Sequence, residues 1–181
     1  MDRFGLARKQ KLKHLSRSQR MKACLASTLP ARPRLLLFDE PFSGLDVETR
    51  ASVSSLLKSL ALDTGLAVLI TTHDVEEVEP VATHLGILDR GRLEVNEALG
   101  DFLGRHRSLR LEGGSVAELP EDLACRFRSP ATALDGVAAF TDAFDGEFET
   151  ALLADLPPGA EAKFAPMTLR QILAAGRPAT T

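Results

Sequence analysis

The chain has no tryptophan and no tyrosine, so phenylalanine supplies all of its 5% aromatic content. Stacking on single-stranded bases needs aromatic planes, and the basic opening segment therefore reads as a solvated face rather than a nucleic-acid surface. That segment carries Arg3, Arg8, Lys9, Lys11, Lys13, Arg17, Arg20, Lys22, Arg32 and Arg34 before Asp39, with Asp2 as its one acid. Cysteine is scarce too: Cys24 and Cys125 stand alone, without metal-ligand spacing, and fit a reduced intracellular setting. No apolar run approaches the length of a membrane span, and the start leads into polar residues rather than a signal-type apolar segment. Any membrane association is expected to come through a partner. What is present suffices for a core: 181 residues, 44% hydrophobic, with a net charge of −3.

Periodicity divides the chain. Ser16 with Gln19 three residues on forms a capping-box pattern for a helix running to about Thr28, ended by Pro30 and Pro33. Arg34 to Phe38 reads as a strand, and Val47 to Leu62 as a helix with Val53, Leu56, Leu57 and Leu60 on one side. After Gly65, Ala67 to Thr71 reads as a second strand, so that strand, helix and strand make a crossover unit of a parallel sheet. A short acidic helix over Val75 to Ala82 is expected next, solvated through Asp74, Glu76, Glu77 and Glu79. Strands come next at His84 to Leu88 and Leu93 to Val95 around the turn Asp89-Arg90-Gly91-Arg92, then a helix at Glu97 to Leu103. Beyond Arg107 the texture weakens into a small α+β appendage, with strands at Ser108 to Leu111, Val137 to Thr141, Phe148 to Leu153 and Ala160 to Ala165 and a helix at Thr168 to Ala175. The expected domains are therefore 1–104 and 105–181.

Chemistry concentrates where the first strand ends. Leu35-Leu36-Leu37-Phe38 runs without alternation, as in a parallel strand buried on both faces, and two carboxylates, Asp39 and Glu40, come directly after it. Open α/β sheets bind ligands at that end. Neighbouring carboxylates beside an apolar wall repel one another unless a cation or a polarised water lies among them, and magnesium with nucleotide phosphates suits such oxygen ligands. His73 ends the second strand at the same edge, whereas His14, His84 and His106 lack such a context.

The order Leu15-Ser16-Arg17-Ser18-Gln19, then Leu35 to Pro41, then Ser43-Gly44-Leu45-Asp46, then Thr71-Thr72-His73-Asp74 resembles the second half of an ABC-type ATPase domain. These segments are similar to its signature motif, Walker B strand, D-loop and switch histidine, over about Phe4 to Leu103. The resemblance implies an α/β fold: part of a P-loop NTPase parallel sheet with flanking helices, joined to the small α+β appendage. It also implies ATP and Mg2+ as cofactors. Asp39 would hold the metal, Glu40 would prepare the attacking water, and His73 would donate to the γ-phosphate. Ser16, Arg17, Ser18 and Gln19 would meet nucleotide held by a second ATPase subunit, in a homo- or heterodimer, and Asp46 would run along that interface. The other implied partner is a separate transmembrane permease, which would keep the protein cytoplasmic and peripheral at the inner face of the cell membrane; nucleic acid is not an expected partner.

Two departures bear on this. Ser18 adds a side chain where the family pattern has glycine and backbone lies close to phosphate. No G-x-x-x-x-G-K-[ST] loop occurs in the 181 residues, so the backbone cradle and lysine that grip phosphate are missing, and the chain alone is not expected to bind ATP appreciably. The strand lost with that loop would leave open sheet edges. Met167-Thr168-Leu169-Arg170-Gln171-Ile172-Leu173 is similar to the terminal helix of exporter ATPase subunits, which points to export. The alternatives are a soluble ABC ATPase of DNA repair or translation, and a non-catalytic truncated or regulatory module.

Overall fold

A computed structural model describes residues 11–128 and 139–175. Arg3, Arg8 and Lys9 of the basic segment, and the first two positions of the strand expected from Val137, lie outside the described residues. The chain forms two compact units, Met1–Val81 and Ala82–Thr181.

The first unit is built on β1 (Leu35–Asp39) and β2 (Ala67–Thr71), joined through α2 (Val47–Thr64) and preceded by α1 (Arg17–Thr28). Ser16 caps α1 as its spacing requires: its hydroxyl accepts from the Gln19 N–H at 3.2 Å, and the Gln19 side chain accepts from the Ser16 N–H at 3.0 Å. Asp46 caps α2 through its carboxylate, which accepts from the Thr49 N–H, and Gly65, at φ 66°, closes it in the left-handed conformation that glycine adopts without strain. The strands pair in parallel from Leu35↔Ala67 to Asp39↔Thr71, which is the expected strand–helix–strand crossover.

The core of this unit gathers Leu25 of α1, Leu36 of β1, Phe42, and Val53 and Leu57 of α2. Among the described residues only one face of the strand pair is covered. Leu36 is buried, but Leu35, Leu37 and Leu69 are 50%, 68% and 58% exposed. The expectation of burial on both faces therefore fails: the apolar residues of α1 and α2 collect with Leu36, and among the described residues the opposite face has no cover. The acidic helix expected at 75–82 is also absent, reduced to a single 3-10 turn at Val75–Glu77.

The second unit opens with a hairpin of β3 (His84–Asp89) and β4 (Arg92–Ala98). Its two-residue turn holds Arg90 at φ 45° and Gly91 at φ 79°, the mirror-image geometry that matches strand twist. After α3 (Leu99–Arg105) come β5 (Arg107–Glu112), the short α4 (Glu121–Ala124), β6 (Ala139–Thr141), α5 (Gly146–Ala154), β7 (Glu161–Pro166) and α6 (Leu169–Ala175). The sheet order is β6-β5-β7, antiparallel throughout. This is the α+β texture expected of the tail, but the compact unit begins at Ala82, upstream of the 104/105 boundary read from the sequence. The buried His106 links α3 to β5, with its ring against Phe102 at 4.4 Å.

The segment expected as a strand at Phe148 to Leu153 is helical instead. Asp145 accepts from the Phe148 N–H at 2.7 Å and starts α5, and Phe148 and Leu152, one turn apart, are both buried in the core with Leu109.

Candidate functional site

The rim of the β1–β2 pair positions the acidic groups. Asp39 is the last residue of β1, paired with Thr71, and the Thr71 hydroxyl donates to Asp39 Oδ1 at 2.5 Å. Glu40 continues the ladder by one bond, its N–H donating to the Thr71 carbonyl at 2.9 Å, then departs from strand geometry at φ 47°. A positive φ in a residue with a β-carbon is strained backbone that surrounding structure must hold. Phe42, two residues on and fully buried in the core, anchors the turn that follows, in which the Ser43 N–H donates to the Glu40 carbonyl at 3.3 Å and the Leu45 N–H to the Phe42 carbonyl at 3.0 Å.

So twisted, Glu40 meets the segment beyond the end of β2. Its Oε1 accepts from the His73 N–H at 3.0 Å and lies 2.6 Å from His73 Nδ1, while Oε2 accepts from the Thr72 hydroxyl at 3.2 Å. The hydrogen bond from His73 holds the Glu40 carboxyl below its ordinary range, aided by the His73 and Thr72 donors and opposed by partial burial. Reciprocally, the bond to Glu40 and its negative charge raise the His73 imidazole above its ordinary value, with Asp74 and Glu77 adding to the effect. The side chain of His73 is 83% exposed, so Nε2 faces outward with a proton to give whenever the ring is charged.

Asp39 is placed differently. Its side chain makes no other hydrogen bond among the described residues, and it stands on the uncovered face with Leu37, Leu69 and Thr71, which line a shallow cavity there. Among the described residues no three histidine, cysteine or acidic side chains form a metal cage. Magnesium does not require one: it takes one or two carboxylates with phosphate and water oxygens. The donor set of one carboxylate with a free oxygen fits that mode.

The signature-like residues form a second cluster, the cap of α1. The hydroxyls of Ser16 and Ser18 lie 2.9 Å apart, so the side chain at position 18 supports the cap instead of standing free. Arg17 reaches the turn before α2: a Cβ on Gly44, itself at φ 70°, would sit 2.8 Å from Arg17 Nη1. At the end of that turn Asp46 accepts from the Thr49 N–H and hydroxyl, both at 2.8 Å, and these donors hold its carboxyl below the ordinary range.

Sequence reasoning missed the threonines. Thr71 and Thr72 stand in the same motif as His73, and it is the strand register, not local spacing, that aims one hydroxyl at Asp39 and the other at Glu40. It also read Glu77 as solvated, whereas Glu77 is buried against Arg50 at 2.7 Å. Cys24 and Cys125 are both free and exposed, as expected of unpaired thiols.

Residues 6–79 match a family model described as "AAA domain, putative AbiEii toxin, Type IV TA system". The chain is similar to the taurine import ATP-binding protein TauB of Escherichia coli (strain K12), 38% identical over 120 residues, which are 66% of this chain and 47% of that protein. It is similar also to the methionine import ATP-binding protein MetN of Rhizobium meliloti (strain 1021), 32% identical over 164 residues, 87% of this chain and 46% of that protein. The chain thus spans about half the length of the curated relatives it matches. Among solved structures it is similar to a dimeric, post-hydrolysis ATP-binding cassette bound to ADP and Pi, at 28% identity and a TM-score of 0.48, over 54% of this chain and 43% of that one. No described helix is long and apolar enough to cross a membrane.

Proposed function

We propose that this chain, a homologue of ABC ATP-binding subunits, supplies the water-activating half of an ATP-hydrolysing site that drives a membrane transporter. The observation that carries the reading is the Glu40–His73 contact at 2.6 Å, formed between residues that lie one and two positions beyond the ends of neighbouring parallel strands. It joins a carboxylate whose pKa the contact lowers to an imidazole whose pKa the same contact raises, so each favours the charged form of the other.

In this reading Glu40 orients the attacking water and accepts its proton, for which a carboxylate within hydrogen-bond reach is required. His73 keeps Nδ1–H on Glu40 and presents Nε2–H to the γ-phosphate, offsetting charge that grows there as the bond to the leaving oxygen lengthens. Thr72 holds the second oxygen of Glu40, leaving the carboxylate one orientation. Asp39 would hold Mg2+ together with phosphate oxygens; when bound, that ion supplies positive charge to the phosphates. The capped start of α1, with Ser16 to Gln19, and the turn ending at Asp46 would face a second ATPase subunit. A separate permease would place the assembly at the cytoplasmic face of a membrane, and domains of 1–104 and 105–181 remain our division of labour between hydrolysis and accessory roles.

Both relatives are named for import, so import is the direction we favour; the export direction read from the α6 sequence draws no support from them. The 181 residues carry no phosphate-gripping loop, so the test grafts the matching stretch into the TauB subunit of Escherichia coli. Turnover by the graft is expected, with a loss of about a hundredfold or more on Glu40→Gln, the usual worth of a positioned base. A graft that binds ATP without hydrolysing it, or one whose rate Glu40→Gln leaves unchanged, refutes the reading.

A further inference from the structure

One ionic contact joins the segments next to the site without a direct bond to Glu40 or His73. Glu77 closes the 3-10 turn four residues after His73, and its side chain is only 5% exposed although nothing in its sequence context predicts burial. Its Oε1 lies 2.7 Å from Nη2 of Arg50, in the first turns of α2. The same Nη2 reaches back to the Leu45 carbonyl at 3.4 Å, the end of the turn that Phe42 anchors behind Glu40. Arg50 Nε is buried and has no hydrogen-bond partner among the described residues. Arg50 thus bridges the two segments whose side chains make the Glu40–His73 contact: the turn after β1 and the turn after β2.

Stability is a poor reason for such a pair. Taking the Glu77 carboxylate out of water offsets much of its attraction to the part-exposed Arg50, and apolar replacements of similar volume often do as well or better. What an ion pair does that apolar groups cannot is fix direction and separation. Besides this pair, the stretch from Thr72 to Val78 is held by the contacts of Thr72 and His73 with Glu40 itself, by local bonds such as the Asp74 N–H to the Thr72 hydroxyl at 3.0 Å and the Val78 N–H to the Val75 carbonyl at 3.2 Å, and by Val78 against the core. Of these, the Glu40 contacts are the ones whose geometry the pair would set.

We propose that Arg50 and Glu77 are positioning residues, whose ion pair clamps the Thr72–Val78 segment to the Phe42–Leu45 turn and so holds His73 at Glu40. The clamp would also carry a displacement of the turn ending at Asp46 to His73, so that events at that turn and at the phosphate site are mechanically joined. This last consequence rests on the proposed ATP hydrolysis; the clamp itself does not.

The test is amide hydrogen exchange on the 181-residue chain without nucleotide, so its outcome is independent of the hydrolysis graft. The readout is the His73 N–H, which donates to Glu40, against the amides of the β1–β2 ladder as internal standard. In the double variant Arg50→Met/Glu77→Leu, which leaves no unpaired buried charge, the His73 amide should exchange about tenfold faster or more while the ladder amides keep their rates. The single variants Arg50→Met and Glu77→Gln should move it in the same direction. If the His73 amide keeps its wild-type protection in the double variant, if ladder and His73 amides speed up together, or if the double variant fails to fold, the pair is a structural one and the proposal is overturned.

Discussion

Replacing Phe42 by alanine probes the joint between packing and chemistry. The ring is fully buried among Leu25, Leu36, Val53 and Leu57, and it lies two residues beyond the strained φ of Glu40. Deleting a buried phenylalanine ring costs about 3–5 kcal/mol through lost transfer energy and the cavity left behind. That is a large fraction of the roughly 5–15 kcal/mol that holds an ordinary domain together. With urea slopes of about 1–3 kcal/mol/M, the midpoint of the first unit should fall by at least about 1 M. The chain has no tryptophan to report unfolding and two separate cores, so the transition is best tracked by resolved backbone NMR signals from each unit; a single optical curve would merge them. Phe42→Leu, which fills most of the volume, should cost far less. The Glu40–His73 contact should loosen in the alanine variant before the β1–β2 ladder does. A loss below about 1 kcal/mol, with the His73 amide protected as before, would show that Phe42 does not hold the turn and that the reasoning is wrong.

Three further outcomes are expected. His106 is wholly buried, its Nδ1 bonded to the Phe102 carbonyl at 2.6 Å and its Nε2 without a partner among the described residues; burial pushes its pKa down, the bond to Phe102 opposing this, with Arg105, Asp142 and Glu97 as smaller influences. Above the unfolded value of 6.5 neither state is protonated; below it the unfolded ring binds a proton that the folded ring refuses. Stability of the second unit should therefore fall as pH drops below about 6.5 and level off once folded His106 protonates, a slope that His106→Gln should flatten in denaturation curves taken across that range. Gly44→Ala should cost about 1–2 kcal/mol in thermal melts, for the left-handed backbone, and adding Arg17→Ala should recover only the part owed to the 2.8 Å approach of Arg17; full recovery would mean the backbone is unstrained. Leu37→Lys, on the uncovered face at 68% exposure, should leave stability within about 0.5 kcal/mol and lower light scattering at high concentration. A larger loss would mean that the face is buried.

Much of the first unit was legible because its signals are local. A capping box, a glycine at a helix end and an apolar stripe at helical spacing each depend on residues within one turn of one another, and α1, α2 and the strand pair arise from them. Glu40 and His73 were identifiable from their places after the strands, and the structure brings them into contact. The features that failed are those decided by distant neighbours. Unbroken leucines read the same whether one face of a strand is covered or two. Phe148 and Leu152 look like parts of a strand until Asp145 is seen to cap a helix. Glu77 sits in an acidic stretch, and its burial is decided by an arginine from another element.

The register of the strand pair has a consequence for how this chain can vary. Asp39 lies opposite Thr71 and takes its face from the pleat of the strand, whereas Glu40, bonded to the same residue, takes its direction from the point at which the strand stops and the backbone turns at φ 47°. Lengthening the far end of α2 or its loop to β2 leaves that pairing intact. One residue gained or lost inside Leu35–Asp39 would move Asp39 to the other face and shift the turn that aims Glu40 at His73. Descendants of this sequence can therefore tolerate insertions in the crossover, while the five residues of the first strand are fixed in number.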